Sequence, residues 1–209
     1  MIDQDVLYLG SKSAQRQKLL SDAAIPFKIL EHNSDEIVER STLTFHEYVI
    51  AIAQSKMLSL ALPDPKTVPT NYLFVLTADT LIRLSKSNQI LGKVSNKKTA
   101  HLALKQESSE PLEVATGCNL EKFYIVNGAW KSHTSLTWAT SAFIEFIVPD
   151  ESIDQYLTLL PHALQCCGAA VAEGFGASFL KSINGSYTAT LGLPLFELRA
   201  ALKQYNFKF

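Results

Sequence analysis

Apolar positions near the start of the chain fall in two short clusters with a helical pattern between them. Residues 6–9 (Val-Leu-Tyr-Leu) suit a buried strand, Gly10 permits a tight turn, and Ser11 or Ser13 can cap a helix that carries Leu19 and Leu20. Residues 26–30 read as a second short strand, followed by the polar stretch Glu31-His-Asn-Ser-Asp35-Glu36. A long helix comes next. Thr44 and Glu47 form a capping box, and Val49, Ile52, Ala53 and Met57 recur at helical spacing until Pro63 and Pro65 stop the segment.

Residues 72–78 form a continuous run, apolar apart from Thr77, and predict a central strand that ends at Asp79. Residues 81–84 and 89–91 predict a hairpin leading into Gly92-Lys93, and 99–106 a helix. Residues 114–126 and 134–148 predict two longer strands joined around Asn127-Gly128. Helices are expected over 153–160, opened by Asp150 and Glu151, and over 194–202, with proline in the first turn. Strands and helices mixed in this order predict an α/β or α+β sheet with helices packed on it, without a clean domain boundary.

The chain has 209 residues, is 47% hydrophobic and 19% charged, and carries a formal net charge of -1, which fits one globular or two-lobed domain. Balanced charge gives no bulk attraction to nucleic-acid polymers or membranes, so a bound phosphate needs a local site. The apolar runs are too short to cross a bilayer and the start lacks a signal-peptide pattern, so a cytoplasmic protein is expected. Three cysteines without C-x-x-C spacing argue against a disulfide framework or a zinc site. Cys166 and Cys167 read as two buried thiols with no basic partner beside them in the sequence.

Four places carry candidate chemistry. The free N–H groups of the first helix turn, with Arg16 beside them, would attract an anion and make the segment a phosphate cradle; an ordinary strand, turn and capped helix fits the same residues. Asp79, directly after an apolar strand, suits a metal ligand or a base for a water, or else a turn cap shared with Thr80. Lys56 and Lys93 can meet phosphate, or can be a snorkelling helix lysine and a solvated turn lysine. The glycines around Glu173, in Gly168-Ala-Ala-Val-Ala-Glu173-Gly174-Phe-Gly176, suggest close backbone approach, but form neither a Walker loop nor a dinucleotide fingerprint.

In order along nearly the whole chain, these islands resemble the Maf family of nucleoside triphosphate pyrophosphatases. The family's Ser-x-Ser-Pro-Arg-Arg appears as Ser11-Lys-Ser13-Ala14-Gln15-Arg16, and its Asp-Glu as Asp35-Glu36. A helical lysine appears as Lys56, Ala-Asp-Thr as Ala78-Asp79-Thr80, Gly-Lys-Pro as Gly92-Lys93-Val94, and Thr-Gly as Thr116-Gly117. The later Glu-Gly-x-Gly and Gly-Leu-Pro-Leu appear as Glu173-Gly-Phe-Gly176 and Gly192-Leu-Pro-Leu195. Ala14, Gln15 and Val94 depart from the pattern.

The resemblance implies a mixed, twisted α/β sheet with flanking helices in a two-lobed single domain over 1–209, and a homodimer. It implies hydrolysis of a nucleoside triphosphate between the α- and β-phosphates, with a divalent cation, Mg2+ or Mn2+. Asp79 would accept a proton, Glu36 and Asp79 would hold the metal, and Ser11, Ser13, Arg16, Lys56 and Lys93 would bind the phosphates. Substrate choice maps onto Gln15, Thr80 and Glu173. Glu173 is similar to the 7-methyl-GTP group and makes that base the first expectation, because a carboxylate suits a guanine edge. Thr80 is similar to the dTTP and UTP group, the alternative. A non-catalytic nucleotide-binding protein acting through a partner in cell division is a further alternative.

Overall fold

The computed structural model describes residues 4–31, 38–40 and 42–209; Asp35 and Glu36 lie outside the described residues. Seven strands form one mixed sheet among them: β1 (Leu7–Leu9), β2 (Phe27–Ile29), β3 (Tyr72–Leu84), β4 (Ile90–Leu91), β5 (Leu112–Val126), β6 (Ala129–Phe146) and β7 (Leu180–Gly185). The order is β2-β1-β3-β5-β6-β7, with β4 paired to β3 off that path. The helices are α1 (Ala14–Asp22), α2 (Phe45–Leu58), α3 (Lys97–Ser109), α4 (Ile153–Leu159), α5 (Tyr187–Thr190) and α6 (Leu195–Gln204).

The chain divides into two compact units. The first comprises Met1–Asp79, Thr116–Thr140 and Gly192–Phe209, the second Thr80–Ala115 and Ser141–Leu191. In the first, β1 is parallel to both neighbours, with Leu7 opposite Phe27 and Phe74. All three β1 residues are buried, as in a parallel strand covered on both faces of the sheet. Tyr8, Met57, Leu73, Val75 and Phe123 build a core there. In the second unit, Leu84, Leu104, Leu112, Ile144, Phe146, Tyr156 and Leu157 belong to a larger core.

Element types follow the sequence patterns; several boundaries do not. β3 runs straight through Asp79 instead of ending there, absorbing the first arm of the expected hairpin. Its burial changes from continuous to partial at Asp79, so the end of an apolar run was a change of surroundings and not the end of a strand. β6 starts at Ala129, as the exposed half of a strand keeps its ladder without an apolar pattern. Pro194 caps α6 rather than opening its first turn. β7 and α5 are additional elements. Cys166 and Cys167 are only half-buried, and Cys118 is the enclosed thiol.

Candidate functional site

In the first unit, the turn after β1 is built on Ser11 and Ser13. Ser13 is the cap of α1, its Oγ accepting from the Arg16 N–H at 3.4 Å. Ser11 is buried and serves differently. Its Oγ accepts from the Ser13 N–H at 3.3 Å and from Arg16 Nη1 at 3.1 Å. Arg16 is 8% exposed, and its Nε donates to the Gly192 carbonyl at 2.7 Å. The guanidinium therefore ties the turn to the Gly192-Leu-Pro-Leu195 segment, a planar fork serving two acceptors that lysine could not match. Gln15 is half-buried, and its Nε2 is enclosed without a hydrogen-bond partner among the described residues.

Lys56 and Asp79 meet. Lys56 Nζ donates to Asp79 Oδ1 at 2.5 Å, with side chains 27% and 18% exposed. One contact fixes where α2 begins, and another fixes its register on β3. Thr44 and Glu47 cap α2 reciprocally, Thr44 N–H to Glu47 Oε2 at 2.9 Å and Glu47 N–H to Thr44 Oγ1 at 3.3 Å. Buried Thr77, two residues before Asp79 on the same strand face, donates from Oγ1 to the Ala53 carbonyl at 2.6 Å, one helical turn before Lys56. Replacing Thr77 with valine is expected to lower stability by about 1–2 kcal/mol and to reduce turnover. Denaturant unfolding and steady-state kinetics on that variant measure both, and unchanged values would refute the register argument.

Cys118 is a buried thiol within electrostatic range of Arg16 and Glu197. Burial pushes its thiol far up, partly offset by Arg16 and reinforced by Glu197, so the sulfur is an inert packing group. Among the described residues no group of three or more His, Cys, Asp and Glu side chains is placed to hold a metal.

In the second unit, Thr80 and Lys93 are linked through Cys167. Cys167 forms an isolated antiparallel bridge with Lys93, and its Sγ donates to the Thr80 carbonyl at 3.5 Å. Lys93 is exposed, whereas Val94 beside it is buried in the core. A buried apolar contact is what position 94 supplies here. Glu173 is half-buried and extended, preceding the short 3-10 turn Gly174–Phe179 without capping it by its side chain. Thr77, which sets the register of the ion pair, and Cys167, which joins Thr80 to Lys93, were missed in the sequence. A buried threonine inside an apolar strand was the available signal for the first; for the second there was none.

A family model described as Maf-like protein matches residues 6–205. A dTTP/UTP pyrophosphatase of Fusobacterium nucleatum is 28% identical over 202 residues, covering 97% of this chain and 96% of that protein. A dTTP/UTP pyrophosphatase of Hydrogenovibrio crunogenus is 32% identical over 203 residues, covering 96% of each. A nucleoside triphosphate pyrophosphatase of Maricaulis maris is 29% identical over 202 residues, covering 95% of each. The turn after β1, the helical lysine against the strand aspartate and the late glycine-rich segment all lie within the matched span, and the chain belongs to the Maf family.

Proposed function

We propose that the protein is a nucleoside triphosphate pyrophosphatase acting on dTTP and UTP. The observation that carries the reaction is the pair of Lys56 and Asp79. Lys56 occupies Oδ1, which leaves Oδ2 with no partner among the described residues and fixed in direction. In the proposed step Oδ2 takes a proton from a water whose oxygen forms a bond to the α-phosphorus. The bond from that phosphorus to the bridging oxygen breaks, and pyrophosphate leaves with the electron pair. Lys56, Lys93 and the N–H groups and hydroxyls of the Ser11 and Ser13 turn bind phosphate oxygens, with Arg16 bracing the turn.

Asp79 and Glu36 are the proposed ligands of a divalent cation. Mg2+ and Mn2+ bind through one or two carboxylates and complete their shell with substrate phosphates, and Asp79, with two lone pairs on Oδ2, can hold the ion and still accept from the water. When bound, the ion neutralises charge developing on the leaving group.

The names of the relatives favour dTTP and UTP over the 7-methyl-GTP expected from Glu173 alone. Thr80 supports that reading. Glu173, whose side chain caps nothing, keeps 7-methyl-GTP as the second reading. A carboxylate can accept from the imide N–H of uracil or thymine but repels the neighbouring carbonyl, whereas an amide both accepts and donates. Glu173→Gln is therefore expected to raise kcat/KM for dTTP and UTP relative to 7-methyl-GTP by about tenfold or more. Pyrophosphate release from a nucleotide panel, with Mg2+ or Mn2+ added, tests both the reaction and the base. Tight nucleotide binding with no pyrophosphate release from any triphosphate would replace the enzyme by a nucleotide-binding protein.

A further inference from the structure

One buried acid is not accounted for by this reaction. The inward face of α3 is made of Ala100, Ala103, Leu104 and Glu107, so a carboxyl fills a core position and is only 1% exposed. Its Oε1 lies so close to Gly168 that a Cβ there would come within 1.8 Å of it. The Ala170 N–H partly compensates the group electrostatically, yet neither carboxyl oxygen makes a hydrogen bond of full geometry. An ionised carboxylate in such a place is costly, and burial drives its pKa well above 4.5.

What rests on Glu107 is a turn of unusual backbone. Gly168 has φ +71° and Ala169, which carries a Cβ, has φ 90°. The turn is held on its other sides by Tyr156, whose Oη donates to the Ala169 carbonyl at 2.9 Å and accepts from the Val171 N–H at 2.8 Å. The Gly168 N–H donates to the Gly92 carbonyl at 3.0 Å, and Cys167 carries the bridge to Lys93. Glu107 thus lies beneath a turn whose near end fixes Gly92-Lys93 and whose far end leads to Glu173.

We propose that Glu107 is a positioning residue for the pyrophosphatase: its carboxyl is the strut that holds the 168–170 turn, and through Cys167 and Gly92 holds Lys93 where it meets the triphosphate. The proposal rests on the phosphate-binding role given to Lys93 above. The titratable groups facing the carboxyl are Tyr156 from α4 and Cys166 from the segment following the 161–165 turn, with Lys93 acting on Cys166. Burial pushes Tyr156 and Cys166 upward, so both stay neutral below pH 9 and Glu107 is the group whose charge changes. A proton retained by the folded protein and released by the unfolded one makes stability fall as pH rises above 4.5, by up to about tenfold in the folding equilibrium per pH unit. That fall continues until the buried carboxyl itself ionises.

The test compares the wild type with Glu107→Gln, Glu107→Ala and Lys93→Ala, reading KM, kcat and labelling of Cys166 and Cys167 by a thiol reagent from acidic to alkaline pH. The glutamine variant cannot ionise, and at each pH it cancels the thiols' own pH dependence. The expected result is a wild-type KM that rises on the alkaline side while labelling accelerates, both flattened in Glu107→Gln, with kcat changing less. Glu107→Ala is expected to raise KM by about ten- to hundredfold at every pH. Thermal unfolding of wild type and Glu107→Gln follows the pH-dependent loss of stability independently. Identical pH profiles of KM and labelling in these two proteins overturn the proposal, whether or not Glu107→Ala folds. A Lys93→Ala protein with the wild-type KM overturns the role of Lys93 and the proposal with it, so the two failures are told apart.

Discussion

Asp79→Asn is expected to lower kcat for dTTP by about 100- to 10,000-fold, the range that a positioned general base contributes. The amide has the size of the carboxylate and can still accept from Lys56 through its oxygen, so the local geometry survives. What disappears is the basic oxygen facing the water. The mostly buried ion pair becomes a hydrogen bond from the ammonium to a neutral amide oxygen, a change expected to cost about 1–3 kcal/mol of stability, which an unfolding curve reads separately from turnover. Pyrophosphate release measured at saturating nucleotide, alongside a thermal unfolding curve, separates the two effects. Turnover within about tenfold of the wild type would remove Asp79 from the role of base, since that loss lies below the range for such a group.

The same pair shows where sequence reading reaches its limit. Asp79 is visible because a carboxylate follows an apolar run, and Lys56 because it interrupts a helical pattern. Their pairing is invisible, since 23 residues separate them and the register of helix on strand is set by a long-range contact, the Thr77 hydroxyl bond to Ala53. Local capping rules succeed where the interaction is itself local, as in the Thr44 and Glu47 box. Strand boundaries fail where the environment changes without a break in the chain, as at Asp79. β7 escapes for a related reason. Its half-exposed Leu-Lys-Ser-Ile-Asn-Gly pairs with β6 at the end of the strand order among the described residues, and an edge strand needs no strong apolar alternation. Glu107 did leave a trace, because positions 100, 103, 104 and 107 share one helix face, and that spacing places the acid with the core residues.

The largest loss of stability is expected from Gly117→Ala. Gly117 lies within β5, where a Cβ would come within 2.5 Å of the Val49 carbonyl carbon and oxygen and 2.7 Å of the Ile50 nitrogen. Those are backbone atoms of α2, not the end of a side chain that can rotate away. The helix must withdraw by about 1 Å, at a cost of about 3 kcal/mol or more, the upper range for overpacking. The displacement would not stay local. Lys56 lies two turns along α2 from Val49, so the same shift draws its amine away from Asp79, and a misplacement of that size can cost about 100-fold in turnover. Gly92→Ala serves as the stability control, since a Cβ there meets nothing within 4 Å and should change stability by about 0.5 kcal/mol or less. Chemical denaturation of both variants reads the difference directly. A Gly117→Ala protein as stable and as active as the wild type would mean that α2 can slide on the sheet without disturbing Lys56, which the Thr77 bond to Ala53 argues against.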